Sequence, residues 1–394
     1  MLRIAWNIYT KVENYTRLLG LRSDPQATFF LWGPRQSGKS TLLANEFPDV
    51  PWVDLLLPAA YRRYLQAPEL LIEEQRRHGA GFIVIDELQK VPELLDVVHW
   101  LMERRGVHFA LCGSSARKVR RGQANLLGGR GERRELHGLS AMEIGPGVDL
   151  VRLLNHGYLP PIYDAERPLP LLDAYVSQYL KEEIAAEGLV RRLPAYADFL
   201  ALAALSDGDV VNYTTIARDT GTSSQTVRGY FEILEDTFLG RFLPAYRRRP
   251  KRRVVAAPKF YFGDVGVVNF LARRGALQPG GELFGKAFEN WVFHELCCYN
   301  SYRARYADFF YWRLSSGIEV DFVVNHIECA VEAKAVSRVR ADHAKGLGEL
   351  KADHPETGHR IVVSLDPHDR TTEDGIDLLH HATFLQQLWD GALF

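Results

Sequence analysis

The chain has 394 residues, of which 46% are hydrophobic and 25% charged, and its formal net charge is -1. Those proportions belong to an ordinary globular protein and exclude a largely disordered chain, while the length exceeds what one hydrophobic core holds, so two or three domains are expected. The chain contains no run of eighteen apolar residues, and its first residues, MLRIAWNIYTKVENY, lack the apolar stretch of a signal peptide, so a cytoplasmic protein without a membrane span is expected.

Residues 1–145 alternate short apolar runs with helical patterns, as a parallel α/β sheet does. Thr28–Trp32, Trp52–Leu56, Phe82–Ile85 and His108–Cys112 are the expected strands, each apolar on consecutive residues because both faces are covered. The first leads into Gly33-Pro34-Arg35-Gln36-Ser37-Gly38-Lys39-Ser40-Thr41, a GxxxxGK[ST] loop between a strand and a helix-compatible run. Its glycines let backbone N–H groups wrap phosphates, and the helix start adds partial positive charge. ATP and Mg²⁺ are therefore the expected cofactors, with Lys39 on the β- and γ-phosphates and the Ser40 hydroxyl on the metal. The third strand ends in Asp86-Glu87 at the carboxyl edge, where such sheets bind ligands. Asp86 is the expected second metal holder, and Glu87 the base that orients or deprotonates water. Downstream lies a basic stretch interrupted only by Glu132, in which Arg117 and Arg130 are candidates for a charge-stabilising arginine, supplied within the chain or by a neighbour.

Residues 146–254 read as a helical linker followed by a helix-turn-helix, with Gly221 at the turn and Thr222 and Gln225 as a capping box. Val227, Tyr230, Phe231 and Leu234 form a buried stripe, leaving Ser223, Ser224, Gln225 and Arg228 to face DNA. FLGRFLPAY and the basic run Arg247, Arg248, Arg249, Lys251, Arg252 and Arg253 fit the strands and wing of a winged helix, with phosphates as the partners of the cations.

Residues 255–394 carry a helix expected over Glu282–Asn300 and then strands of alternating pattern. In Glu319-Val320-Asp321 and Glu332-Ala333-Lys334 the alternation puts acids on shared faces, so a hairpin would bring Asp321, Glu332 and Lys334 together. Two carboxylates and a lysine suit Mg²⁺-dependent phosphodiester cleavage, with Glu289 of the preceding helix as a further metal ligand. The four cysteines, Cys112, Cys297, Cys298 and Cys329, have no zinc spacing and read as reduced thiols.

In order, LWGPRQSGKSTLL, FIVIDELQKVPELL, ALCGSSARK with GGRGERREL, VNYTTIARDTGTSSQTVRGYFEILEDTFL, KFYFGDVGVVNFL, GKAFENWVFHEL and GIEVDFVV with VEAKA resemble prokaryotic AAA-type ATPases that carry a C-terminal domain of unknown function, number 4143. The resemblance implies a AAA+-like P-loop domain, a winged-helix part and a PD-(D/E)xK, restriction-endonuclease-like α/β domain. It puts the metal-binding aspartate on Asp321, the Glu-x-Lys pair on Glu332 and Lys334, and the helix glutamate on Glu289. It also implies a homo-oligomer, often a hexameric ring.

Two functions follow as expectations. The first is an ATP-driven, DNA-processing enzyme acting on duplex or branched DNA, with a Holliday junction migrated and then cleaved. The second is an ATP-dependent regulatory switch or DNA-binding protein with an inert nuclease fold.

Overall fold

Phe29–Trp32 form strand β1 of a computed structural model that describes residues 15–21, 27–115, 130–179, 190, 192–247 and 254–394. Alternation decides how this strand is buried. Phe29 and Leu31 enter a core shared with the C-terminal part of the chain, while Phe30 and Trp32 enter a second core on the other face. Helix α1 (Lys39–Glu46) follows, then β2 (Trp52–Asp54), α2 (Pro58–Gln66), α3 (Leu70–His78), β3 (Phe82–Asp86), α4 (Leu94–Arg105) and β4 (His108–Gly113).

A fifth strand, β5 (Glu132–Glu135), completes a sheet of order β2-β3-β4-β1-β5, and every pairing in it is parallel. Its sequence, Glu-Arg-Arg-Glu, has no apolar signal because it is an edge strand with half-buried or exposed side chains. Arg134 instead lies over the Phe29 ring at 4.9 Å. β2 ends at Asp54, two residues short of the expected strand, where the Asp54 carboxylate accepts the Leu56 N–H and turns the chain.

The middle of the chain is helical but more broken than the sequence suggests. Short helices α5 (Ala141–Ile144), α6 (Leu150–His156) and α7 (Pro160–Tyr163) lead to α8 (Pro168–Tyr179), α9 (Leu193–Leu205), α10 (Tyr213–Asp219) and α11 (Ser224–Asp236). An antiparallel ribbon of β6 (Gly240–Leu243) and β7 (Lys259–Phe262) follows, and α12 (Val265–Leu271) packs into the same core. Of residues 259–271, expected in the third part, Phe260, Phe262, Val267 and Val268 share a core with Phe199 and Phe231 of the second, while Tyr261 and Val265 enter the core that holds Trp291 and Phe322.

The 21-residue helix α13 (Glu282–Tyr302) is buried along most of its length. It precedes a mixed six-stranded sheet, β12-β13-β11-β10-β9-β8. These strands are β8 (Phe309–Arg313), β9 (Glu319–Val324), β10 (Cys329–Lys334), β11 (His359–Ser364), β12 (Arg370–Thr371) and β13 (Asp377–His380). Helix α14 (Lys345–Asp353) covers one face, while α13 and α15 (His381–Trp389) share the core of the other. Gly346 lets α14 approach β9, since a β-carbon there would stand 1.9 Å from the Glu319 carbonyl oxygen. Gly346→Ala should cost about 1–3 kcal/mol of stability through overpacking, read as a lower denaturation midpoint with an unchanged denaturant slope.

No described helix is long and apolar enough to cross a membrane.

Candidate functional site

The phosphate-loop sequence adopts the tight turn its glycines allow. Gly33 has φ 152, and a β-carbon on it would sit 2.1 Å from the Leu136 carbonyl oxygen, so no other residue fits where the loop leaves β1. Gln36 (φ 60) and Gly38 (φ 91) turn the remaining backbone through the left-handed region. No described side chain caps α1, whose first-turn N–H groups therefore remain available to an anion. Ser37 donates to the Pro34 carbonyl at 2.9 Å. Lys39 is buried, and its ammonium donates to the carbonyls of Gly33 (2.9 Å) and Pro34 (2.7 Å). Ser40 and Thr41 occupy the first turn of α1, with Thr41 exposed, and Arg35 and Gln36 lie at the rim of the loop.

Asp86 closes β3 and is buried, and its carboxylate accepts the N–H of Glu87 at 3.0 Å. Glu87 sits in the left-handed region (φ 58), which swings its side chain out of the strand direction. Burial raises the Glu87 carboxyl above the usual carboxylate range; the charge of Lys39 opposes that, Asp86 adds to it, and Arg35 opposes it. A base of raised pKa next to a lysine is suited to taking a proton near neutral pH. The Cys112 thiol, buried beside Asp86, is pushed well above its usual value by burial and then by that charge.

Sequence reasoning missed Gln89. Its amide N–H groups donate to the Glu87 carboxylate and, at 3.0 Å, to the Ser114 hydroxyl at the end of β4. It therefore fixes Glu87 against the neighbouring strand, and its place two residues after the acid pair was the available signal. Gln89→Leu removes both bonds while keeping an apolar stem. It should lower the turnover of ATP about a hundredfold through a misplaced base, with ATP affinity little changed. Comparing kcat with the dissociation constant of ATP checks this.

Arg17 was also missed. Its buried guanidinium reaches Ser37 of the loop, Glu143, the His137 and Gly138 carbonyls, and the Tyr302 hydroxyl.

The arginine candidates fare differently. Arg130 lies just ahead of β5, which runs parallel to β1, so it stands at the opposite edge of the sheet from Lys39. There it pairs with Glu103 near the end of α4 at 2.8 Å. It does not serve the site of its own chain. Arg117 lies outside the described residues.

In the second part, α10 and α11 flank the turn at Gly221 (φ 60). Ser223, rather than Thr222, caps α11 by accepting the Thr226 N–H at 3.1 Å, because the helix begins one residue later than the sequence pattern indicates. Thr222 instead contacts the Thr220 hydroxyl at 2.9 Å. Val227, Tyr230, Phe231, Ile233 and Leu234 are buried. Ser223, Gln225 and Arg228 are exposed and Ser224 is half-buried. Arg228 stacks over the Tyr213 ring at 4.7 Å. Arg247 is exposed, while Arg248, Arg249, Lys251, Arg252 and Arg253 lie outside the described residues.

In the C-terminal sheet β9 and β10 form the expected antiparallel pair, with Val331 opposite Phe322. Continuing that register puts Glu332 beside Asp321. The Asp321 N–H donates to Glu332 at 3.3 Å, and the Ala333 N–H donates to Asp321 at 2.9 Å. Lys334 stands 2.5 Å from Glu332 and 3.7 Å from Asp321. Burial first, then the Glu289 charge, raises the Asp321 carboxyl; burial first, then the Asp321 charge, raises Glu332. Burial alone would depress Lys334, but Asp321 and Glu332 overcome it and raise it.

Glu289 is close enough for its charge to act on this pair, but its direct partners are the Tyr261 hydroxyl (2.5 Å) and Lys259 (3.1 Å). Lys259, buried and donated by β7, also pairs with Glu319, which Arg313 meets at 3.1 Å. Sequence alone had no signal for Lys259, since its partners come from two distant segments. Among the described residues no group of three or more His, Cys, Asp or Glu side chains is disposed to hold a metal ion. Lysine ammoniums take the positions between the acids.

The parallel sheet, with its phosphate loop and buried acidic strand end, defines a P-loop ATPase domain, and residues 26–145 match the family described as AAA domain. Residues 148–278 and 284–384 match two domains of unknown function, DUF8612 and DUF4143. The chain thus combines an AAA domain with a C-terminal DUF4143 domain, the arrangement of the AAA-type ATPases that its sequence resembles. It is similar to an uncharacterized protein of Mycobacterium tuberculosis, at 29% identity over 75% of this chain and 66% of the relative. An uncharacterized protein of Mycobacterium bovis matches equally. The chain thus spans just under two thirds of the length of these relatives. An uncharacterized protein of Haemophilus influenzae is 23% identical over 95% of this chain and 98% of its own length.

Proposed function

We propose that this protein is an ATP-hydrolysing, DNA-processing enzyme in which the AAA domain drives work on DNA and the C-terminal cluster cuts it. The observation that carries the reading is the joint presence of two constellations: Glu87 beside the buried Lys39 and Asp86 at one sheet edge, and the half-buried Lys334 beside the buried Asp321 and Glu332 at another.

At the first, the turn over Gln36 and Gly38 and the uncapped start of α1 fit a polyphosphate. Lys39 would exchange its two loop carbonyls for phosphate oxygens. Ser40 and Asp86 would hold Mg²⁺, which supplies charge neutralisation of the phosphates. Glu87, braced by Gln89, accepts the proton of a water whose oxygen bonds to the γ-phosphorus. The bond from that phosphorus to the bridging oxygen breaks, and ADP and inorganic phosphate leave. Arg130, far from its own site, is available only to a neighbouring subunit, as in a ring, which hexamer formation with a nonhydrolysable ATP analogue would support.

At the second, Asp321 and Glu332 are two carboxylates, and Mg²⁺ is commonly held by one or two carboxylates with substrate phosphate and water completing the shell. Lys334 would position the water. The α10–α11 pair and the ribbon after it are read as a winged helix that grips DNA through Gln225, Arg228 and the basic run.

A second reading is an ATP-dependent switch with an inert cluster, and it is favoured by the lysine already paired with each acid. Purified protein incubated with Mg²⁺ and labelled linear, single-stranded and four-way DNA separates them. Cleavage lost in Asp321→Ala with binding retained supports the first reading; binding without products supports the second. Products that persist in an Asp321→Ala, Glu332→Ala double variant rule the cluster out as the cutting site.

A further inference from the structure

Arg17 makes five hydrogen bonds that reach three parts of the chain. Nη1 donates to the Ser37 carbonyl of the phosphate loop (2.5 Å), and Nε pairs with Glu143 (2.9 Å). Nη2 donates to the His137 carbonyl (2.8 Å), the Gly138 carbonyl (3.2 Å) and the Tyr302 hydroxyl (2.9 Å). Glu143 also accepts the Leu18 N–H at 2.8 Å, which locks the backbone beside Arg17. The guanidinium is buried, its side chain 6% exposed, so its charge is satisfied by protein partners.

Tyr302 is the last residue of α13, and its hydroxyl also accepts the His137 N–H at 3.1 Å. Midway along the helix, Glu295 accepts from the Ser140 hydroxyl (2.8 Å) and the Ala141 N–H (2.7 Å). Thirteen residues before Tyr302, about 20 Å along a helix of 1.5 Å rise, Glu289 meets Lys259 and Tyr261 beside the Asp321 cluster. The phosphate loop is therefore tied, through Arg17, to the C-terminal end of a buried helix whose Glu289, in its first half, stands beside the acid cluster.

We propose that Arg17 is a positioning residue for the phosphate loop and that, through Tyr302 and α13, it carries the state of that loop to the carboxylates around Glu289. The proposal rests on the reading of Gly33–Thr41 as a nucleotide site but not on cleavage by the cluster. Lys39 now donates to the carbonyls of Gly33 and Pro34, so anion binding rearranges the loop that also holds Ser37. Displacement of the Ser37 carbonyl must either break its bond to a buried charge or move that charge. Moving Arg17 moves Tyr302 and the 137–141 segment with it, and α13 is attached to both.

Amide hydrogen exchange of the full chain tests this, with and without a saturating nonhydrolysable ATP analogue whose binding is measured separately. The wild type should show slower exchange over 282–302 and 329–334 when the analogue is bound. Tyr302→Phe should bind the analogue within about threefold of wild type and lose most of that remote change. Arg17→Lys should bind roughly tenfold more weakly, as expected for loss of a charge-assisted hydrogen bond. A wild type that binds the analogue with unchanged exchange over 282–302 overturns the coupling alone, as does a Tyr302→Phe variant that keeps the full change. Failure of the wild type to bind the analogue at all overturns the nucleotide reading and the coupling with it.

Discussion

Lys39→Ala should abolish ATP hydrolysis, with a loss of at least about a hundredfold in turnover and weakened nucleotide binding. The ammonium is buried and held by the Gly33 and Pro34 carbonyls of a loop whose purpose is to surround phosphate. In the transition state of phosphoryl transfer the protein contributes positioning and charge rather than covalent chemistry. Removing one such contact from a site screened from water typically costs two to three powers of ten, on the order of 10²–10³. The variant should remain folded, since it loses no packed apolar side chain. Phosphate release and a fluorescent nucleotide titration measure the two effects separately.

Glu332→Gln should make the protein relatively more stable as pH rises and, with the C-terminal cluster cutting DNA as proposed, abolish Mg²⁺-dependent cleavage. The cleavage loss follows from replacing one of two buried carboxylates with a neutral amide. The stability effect follows from the raised pKa. Burial and then the neighbouring Asp321 charge hold the Glu332 carboxyl above the ordinary value of 4.5, against the pull of Lys334. A group whose folded-state pKa is raised binds more protons in the folded state, so its stabilising contribution is complete below pH 4.5. That contribution is lost as pH climbs through the raised value. The variant lacks this loss, so its melting temperature minus that of wild type should become more positive between about pH 5 and pH 9. A difference that is flat or falls with pH would show that Lys334 keeps Glu332 ionised throughout.

The nucleotide edge was the most legible part of the chain, because its chemistry is local. A phosphate loop needs its glycines, lysine and hydroxyl within nine neighbouring residues, and Asp86-Glu87 must end an apolar strand. The bracing residues were not legible. Gln89 acts through Ser114 of another strand, and Arg17 acts through Ser37, Glu143 and Tyr302, none of which is adjacent to it in sequence. β5 escaped notice because an edge strand needs no apolar pattern, and Glu132–Glu135 has none.

The C-terminal cluster was half legible. Period-two alternation placed Asp321, Glu332 and Lys334 together, and they do meet. The pattern was silent on Lys259, which reaches Glu289 and Glu319 from the β6–β7 ribbon of the preceding part. The β6–β7 pairing also explains why Phe260 and Phe262 fall in the second core: KFYF reads as a strand, but only its partner Gly240–Leu243 decides which sheet it joins. In α11 the local signals were close to one another, and the cap fell on Ser223 instead of Thr222, a shift of one residue.

Phosphate release by the purified chain with ATP and Mg²⁺, compared with a Glu87→Gln variant, tests the account most directly. Glu87 keeps its place beside Gln89 in either form, and only its ability to take a proton changes. Steady turnover is expected in the wild type, with a loss on the order of 10²–10⁴ in the variant and ATP binding retained. A wild type that binds ATP without releasing phosphate, or a variant that turns over as fast as wild type, would contradict it.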